Sequence, residues 1–234
     1  MKLLKAAFLG AVMFSGVANA GVITTGTFTG GDEGEGLDFS GNFEYAVNVR
    51  GNGGGVVGDA VFTNDSASGV SISAQNNILN WHGTNYGSTD NDNALEYVMQ
   101  SIRWSGRGTD VVTVALDNLT VGDDYSLQLL FAESCCIRGF DVFVEDELLV
   151  DDFSAYSLQG SRNNTSLGAF IRFDFVATDS TLNIAMGGSA PAYNDNNPIL
   201  NGLTLENTTS VPEPTSLAIF ALSLLGLGAR KARR

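Results

Sequence analysis

Two adjacent stretches decide the fold: Tyr125–Glu133, which reads Tyr-Ser-Leu-Gln-Leu-Leu-Phe-Ala-Glu, and Arg138–Val144, which reads Arg-Gly-Phe-Asp-Val-Phe-Val. The first is apolar almost throughout, which is typical of a strand in the middle of a sheet. In the second, Phe140, Val142 and Val144 alternate with residues of the opposite face, the period-two pattern of a strand with one buried side. Both stretches are therefore predicted to be β-strands.

Similar alternation recurs along the chain, while no stretch between Gly21 and Thr209 shows sustained helical periodicity. Polar turns rich in Gly, Asn, Asp and Ser separate the apolar runs. We therefore predict an all-β fold, a two-sheet antiparallel β-sandwich. The segment Asn76–Asn93 is predicted to be a long polar loop and Tyr97–Arg103 a short strand. The other main strands are predicted at Phe43–Arg50, Val112–Leu116, Ile171–Phe175, Leu182–Met186 and Ile199–Leu205.

This succession of strands resembles the malectin and malectin-like domains. In that family a Tyr-led strand ending in Phe-Ala-Glu precedes Arg-x-Phe-Asp-Val, as in Tyr125–Glu133 and Arg138–Val142, and an Asn-Pro-x-Ile strand closes the domain. Asn197–Ile199, which reads Asn-Pro-Ile, approximates that last motif. The resemblance covers most of Phe43–Glu206. It implies a galactose-binding-like sandwich of the jelly-roll type that binds carbohydrate without catalysis.

In the family, loop aromatics and an Asp hold the sugar. The resemblance carries over only Asp195, just ahead of Asn197. Trp81, Tyr86 and Tyr193 are candidates on chemistry alone, because a flat ring covers the C–H face of a pyranose and fixed polar groups meet its hydroxyls. The alternative for Trp81 and Tyr86 is that they plug the edge of the sandwich.

Cys135 and Cys136 are the only cysteines, and they are adjacent. On a regular strand their side chains would point to opposite faces, which favours a turn. In an oxidising compartment a vicinal disulfide, an intermolecular bridge and two free thiols all remain open. The flanking Glu133 and Arg138 are expected to form an ion pair rather than to contact a ligand.

The charge of the central region excludes one class of partner. Six of the twelve Lys and Arg residues lie in the terminal segments, so residues 21–209 carry six Arg against twenty-five Asp and Glu, a net charge of about −19. Nucleic acid is therefore not expected as a partner, because phosphate binding requires a basic face.

The acidic residues suggest a structural calcium ion, and the composition gives little support for catalysis. Asp90 and Asp92 are the candidate calcium ligands and Asp32–Glu35 offers a similar run, but neither matches a complete EF-hand loop, so a solvated acidic turn is favoured over a metal site at both. His82 is the sole histidine, so a His-based triad or metal cluster would depend on one residue. We therefore expect no enzyme activity and no cofactor, with a structural calcium ion as the one candidate.

The C-terminal residues 210–234 combine a proline motif, an apolar run and a basic tail. The prolines hold the junction extended, residues 215–229 are predicted to be a transmembrane helix, and residues 230–234 form the tail. At about fifteen residues the helix is shorter than the roughly 20 that span a bilayer. The motif consists of Val211, Pro212, Glu213 and Pro214.

This order resembles the PEP-CTERM sorting signal of Gram-negative bacteria. The resemblance implies that a membrane exosortase cuts near Pro214 and releases the upstream domain; an ordinary membrane anchor is the alternative. At the other end, residues 1–20 read as a secretory signal peptide: Lys2 and Lys5, an apolar stretch, then Ala18–Ala20 as the cleavage site.

The sequence thus predicts three segments: a signal peptide (1–20), a malectin-like domain (21–209) and a sorting signal (210–234). We expect export through the inner membrane, transient anchoring there, and a cell-surface or extracellular destination. The leading hypothesis is non-catalytic binding of extracellular polysaccharide, for example in a biofilm matrix. A structural matrix protein without sugar binding is the alternative, and a polysaccharide-acting hydrolase is a weaker one.

Overall fold

The computed structural model describes residues 21–50, 55–109 and 111–209. The predicted signal peptide (1–20), sorting motif (211–214), transmembrane helix (215–229) and basic tail (230–234) lie outside the described residues. Within the described residues no helix is long and apolar enough to cross a membrane.

The described part of the chain is mostly β, as predicted. Its two helices are α1 (Asp90–Met99) and α2 (Ala155–Gln159). Its strands are, in chain order, β1 (Val22–Phe28), β2 (Phe43–Asn48), β3 (Gly55–Val57), β4 (Ala60–Asn64), β5 (Val70–Ser73), β6 (Asn76–Ile78), β7 (Ile102–Trp104), β8 (Val112–Asp117), β9 (Asp124–Phe131), β10 (Phe140–Val144), β11 (Glu147–Phe153), β12 (Gly168–Val176), β13 (Thr181–Gly187), β14 (Ile199–Leu200) and β15 (Gly202–Asn207).

These strands form three sheets. The largest has the order β1-β12-β9-β15-β2-β4-β3, the second β11-β10-β13-β8-β5, and the smallest β14-β7-β6. Neighbouring strands are antiparallel except β2 and β4, which pair in parallel among the described residues. The prediction of two antiparallel sheets is therefore corrected in two details, a third short sheet and one parallel pair.

One large hydrophobic core joins the two larger sheets. It combines inward side chains of β9, β12 and β15 with those of β8, β10 and β13, for example Leu127 and Ile171 with Val114 and Val142. Strand β9 lies near the centre of the seven-stranded sheet, and all its residues after Asp124 are buried. This agrees with its nearly continuous apolar sequence, because a central strand is covered on both faces.

A second core cluster lies beneath α1, where the sequence predicted a loop and a strand. Thr89 caps this helix: its hydroxyl accepts a hydrogen bond from the Asp92 amide at 3.1 Å, and the Asp92 carboxylate accepts from the Thr89 amide at 3.2 Å. Leu95, Val98 and Met99 are completely buried. A reciprocal capping box and one apolar face are thus enough to form the helix in an otherwise polar segment.

The two ends of β9 lie at opposite ends of the domain. At the first, which we call the terminal end, the Thr208 amide donates to the Asp124 carbonyl at 2.9 Å, and β1 begins nearby with Val22 opposite Asp174. At the second, the loop end, β9 leads from Phe131 into the residues described next. The chain therefore enters and leaves the described domain at the terminal end.

Candidate functional site

Glu133 organises the loop end. Its side chain is completely buried, and Oε1 accepts hydrogen bonds from three successive backbone amides, those of Ser134, Cys135 and Cys136, at 2.9–3.1 Å. Its other oxygen, Oε2, accepts from Arg138 Nε at 2.8 Å. A carboxylate that satisfies successive N–H groups in this way fixes a tight turn. We call residues 134–137 the cysteine turn.

Arg138 connects the cysteine turn to a second loop. Its side chain is 5% exposed, and besides bonding Glu133 it donates from Nη1 to the Asn197 carbonyl at 2.7 Å. Nη2 lies 3.4 Å from Asp195 Oδ2 and 3.7 Å from Cys135 Sγ. The expected ion pair with Glu133 is confirmed. Because every guanidinium nitrogen faces a protein group, Arg138 positions its neighbours.

Trp81 lies against this guanidinium. The Arg138 Cζ atom is 5.7 Å from the centroid of the Trp81 ring, a cation–π distance. The indole N–H donates to the Ala132 carbonyl at 2.7 Å, so the ring is fixed to the end of β9. The residue is partly buried against the large core. Trp81 therefore packs over the edge of the sheet, which is the alternative to sugar binding given above, but part of its side chain remains exposed.

Tyr193 and Asp195 belong to the neighbouring loop. The Asp195 amide donates to the Ile137 carbonyl at 3.2 Å and the Asp195 carbonyl accepts from the Gly139 amide at 3.0 Å, so this loop runs beside the cysteine turn. The Tyr193 ring lies where a Cβ atom on residue 139 would be, which explains the glycine. Its hydroxyl is 3.2 Å from Ser157 Oγ. Both loop residues are half-buried.

Tyr86 lies elsewhere, in contrast to the prediction that it shares a site with these residues. Its ring packs on Phe28 at a centroid distance of 5.4 Å, in the second core cluster. Its hydroxyl is buried and has no hydrogen-bond partner among the described residues. Burial, and then the nearby charge of Glu96, raise the pKa of this phenol well above its ordinary value. The structure therefore gives Tyr86 a packing position.

The two cysteines are joined to one another. Cys135 and Cys136 form a vicinal disulfide, one of the three states that the sequence left open. Cys135 is exposed and Cys136 is half-buried. The following Ile137 is 38% exposed, and Arg162 donates to the Cys135 carbonyl at 3.2 Å. The disulfide thus lies at the surface of a turn that is fixed from beneath.

The two Asp residues predicted to bind calcium do not converge on one point. They lie two positions apart on α1, and because a helix turns by about 100° per residue their side chains point in different directions. Asp90 is exposed, whereas Asp92 is buried. Asp92 instead lies beside Asp32 and Glu35. One carboxylate oxygen of each of the three residues lies within 4.8 Å of the other two. The cluster thus joins one residue of the predicted pair, Asp92, to two residues of the other acidic run, Asp32–Glu35.

Sequence reasoning missed Gln159 of α2, which supports the site from below. Its Oε1 accepts from the Glu133 amide at 2.7 Å and its Nε2 donates to the Leu167 carbonyl at 2.8 Å. No sequence signal marked this residue, because the five-residue helix that carries it shows no periodicity. His82 is buried, with Nε2 3.2 Å from the Asn164 carbonyl oxygen. It is not one of the residues that contact Arg138, namely Glu133, Trp81, Asp195 and the cysteine turn, which together with Arg138 we call the Arg138 group.

Comparison with known proteins identifies the C-terminal segment and the fold. Residues 210–234 match the PEP-CTERM protein-sorting motif, which implies exosortase-dependent export to the cell surface or exterior. No curated protein matches the chain in sequence. The fold is similar to the ANXUR1 extracellular domain from Arabidopsis thaliana, with 18% identity, a TM-score of 0.51, and coverage of 74% of this chain and 51% of that one.

A second similar structure is a calcium-binding mutant of Bacteroides uniformis beta-glucuronidase 2, with 15% identity, a TM-score of 0.50, and coverage of 70% of this chain and 18% of that one. The chain spans about half the length of the ANXUR1 domain. At these identities the likeness concerns the fold alone. Because the ANXUR1 domain is malectin-like, it agrees with the malectin-like fold expected from the sequence.

Proposed function

We propose that residues 21–209 form a non-catalytic carbohydrate-binding domain of the galactose-binding-like, jelly-roll type. The observation that carries the proposal is the contact of Trp81 and Asp195 with Arg138 at the loop end, with the Tyr193 ring packed at the adjacent Gly139. Two partly exposed rings supply flat apolar faces, and a carboxylate held by a buried guanidinium supplies a fixed acceptor. These are the groups that a pyranose requires.

The charge of the domain favours a neutral sugar. Residues 21–209 carry a net charge of about −19, and the cationic group of the site, Arg138, is already paired with Glu133 and Asp195. A polyuronate would meet this net negative charge, which is unfavourable, and Arg138 has no unpaired charge to offer it. Neutral hexose polymers of an extracellular matrix or biofilm are therefore the proposed ligands.

Delivery follows from the ends of the chain. In this proposal the signal peptide (1–20) directs export, the helix (215–229) and tail (230–234) anchor the protein transiently in the inner membrane, and exosortase cuts near Pro214. The domain then reaches the surface or the exterior, where its polysaccharide lies. The PEP-CTERM match supports the exosortase step.

The proposal is tested by binding of the purified full chain, in detergent, to a panel of neutral gluco-, galacto- and manno-oligosaccharides. Replacing Trp81 or Tyr193 by Ala should weaken binding about 5-fold, since each change removes a ring face worth on the order of 1 kcal/mol. Tyr86→Phe is the matched control, because it removes only a buried hydroxyl of the other cluster. No binding by the wild type would exclude this function, and equal binding by all variants would exclude this site.

A second candidate function is structural self-association in the matrix, and strand β1 favours it. This strand lies at the edge of the seven-stranded sheet, contains no charged residue, and exposes Val22 by 63% and Ile23 by 44%. Open edges of this kind pair with further strands. Light scattering of the wild type against Ile23→Lys checks this alternative; assembly that the substitution abolishes, together with no oligosaccharide binding, would favour it.

A further inference from the structure

The most exposed part of the Arg138 group is the cysteine turn. Cys135 is exposed and Ile137 is 38% exposed, whereas Glu133 and Arg138 beneath them are buried. Sulfur is soft, polarizable and only a weak hydrogen-bonding atom, so a surface disulfide is an apolar contact group. The turn therefore presents an apolar patch at the rim of the site.

Stabilisation of the fold does not account for this disulfide. A bond between neighbouring residues closes almost no loop, so it removes little entropy from the unfolded chain. The buried ion pair below it is costly to desolvate, yet the Glu133 carboxylate is directed at the amides of Cys135 and Cys136 and at that of Ser134. Such a supporting layer is typical of a surface that is held ready for contact.

The disulfide lies next to the polar group of the site. A single nitrogen, Arg138 Nη2, is 3.7 Å from Cys135 Sγ and 3.4 Å from Asp195 Oδ2. The sulfur and the carboxylate therefore lie within the width of one sugar ring of each other. A single hexose is therefore large enough to contact Asp195 and the disulfide at the same time.

We propose that the Cys135–Cys136 disulfide is itself a sugar-contact surface, on which the C–H face of a neutral hexose lies while Asp195 accepts from one of its hydroxyls. The inference rests on the proposed carbohydrate-binding function and adds a contact made by sulfur. Arg138 and Glu133 act as positioning residues that hold the two contact groups together.

A protection experiment tests the contact directly. The full chain in detergent is treated with a phosphine reductant, with and without the neutral oligosaccharide of the panel that binds best, and reduction is followed by alkylation and mass spectrometry. At ten times the dissociation constant about one tenth of the sites are free, so reduction should slow about 10-fold. An unchanged reduction rate at that saturation would overturn the inference.

A substitution experiment provides the second measurement. Replacing both cysteines by Ser should weaken oligosaccharide binding about 5- to 10-fold through lost apolar contact, while the melting temperature stays within about 2 °C of the wild type because no long loop is opened. Reduced and alkylated wild type should lose affinity as well. Tyr86→Phe, which removes only a buried hydroxyl outside the cysteine turn, is the control and should bind within about 2-fold.

The outcomes separate the two proposals. If Trp81→Ala weakens binding but the double Ser variant and the reduced protein bind as tightly as the wild type, carbohydrate binding stands and the disulfide contact is overturned. If the wild type binds no oligosaccharide of the panel, the proposed function fails and the disulfide contact fails with it. Protection together with loss of affinity in the double variant supports both.

Discussion

Replacing Glu133 by Gln should destabilise the domain far more than replacing any exposed carboxylate. Glutamine keeps the shape of the side chain but removes the charge that Arg138 Nε bonds at 2.8 Å. It also directs an NH₂ group toward the Arg138 guanidinium or the three turn amides, which are all donors. The buried guanidinium is then left with Asp195 at 3.4 Å as its remaining carboxylate.

The magnitude follows from the burial of this pair. Removing one partner of a buried ion pair costs roughly 3–5 kcal/mol, and because Asp195 still offsets part of the Arg138 charge we expect the lower value, about 3 kcal/mol. For a domain of this size each kcal/mol lowers the melting temperature by about 2–4 °C. The Glu133→Gln variant should therefore melt about 6–12 °C below the wild type.

Thermal unfolding followed by circular dichroism at pH 7 measures the effect. Glu147→Gln, at an exposed position of β11, is the control and should stay within about 0.5 kcal/mol of the wild type. Combining Glu133→Gln with Arg138→Met should recover part of the loss, because the unpaired buried charge is then gone. A drop of less than about 2 °C in the single variant would refute the reasoning.

Three further changes are expected to have measurable effects. Gly168→Ala should cost about 1–3 kcal/mol of unfolding free energy in denaturant titrations, because the new methyl group would collide with the buried Phe28 ring; wild-type stability would contradict this. Thr89→Ala should cost about 1 kcal/mol through loss of the α1 cap, and an unchanged denaturation midpoint would show that the cap is dispensable. The pKa of Asp152 is raised by burial and then by the charges of Asp151 and Asp141, so its ionised form destabilises the fold. Asp152→Asn should therefore melt at a higher temperature than the wild type at pH 7, with the difference vanishing below the ordinary pKa of about 4; a gain that persists at pH 3 would exclude this cause.

The central strands could be predicted because their patterns are strong and agree with their surroundings. The apolar run of Tyr125–Glu133 matches β9, which is covered on both faces, and the alternation of Arg138–Val144 matches β10, which has one buried face. In these segments local pattern and tertiary contacts favour the same structure, so the sequence alone is sufficient.

Helix α1 could not be predicted from periodicity. Its buried apolar residues, Leu95, Val98 and Met99, occupy only its second half, and its first turn consists of Asp and Asn, which are equally frequent in polar loops. The capping box of Thr89 and Asp92 was the available signal. The capping box favours the helical conformation of this segment, and the helix then buries its apolar side chains against one face of the seven-stranded sheet.

The sequence indicated individual residues of the candidate site better than it indicated which of them lie together. Asp195 and Trp81 were chosen from the sequence, and both contact Arg138. Tyr86 was chosen on the same chemical grounds, yet its ring packs in the second core cluster. Composition and motif cannot separate these cases, because the position of a loop aromatic depends on which core it covers, and that depends on the presence of α1.

The direction of β9 has a consequence for the proposed function and delivery of the domain. This strand has eight residues, a length of about 26 Å at 3.3 Å per residue, and it separates the terminal end, where Thr209 leads into the sorting signal, from the loop end with Arg138. A peptidase near Pro214 and a sugar at the cysteine turn would approach opposite ends of one rigid body. Cleavage of the C-terminal segment would then release the domain from the membrane without changing its affinity for a polysaccharide chain.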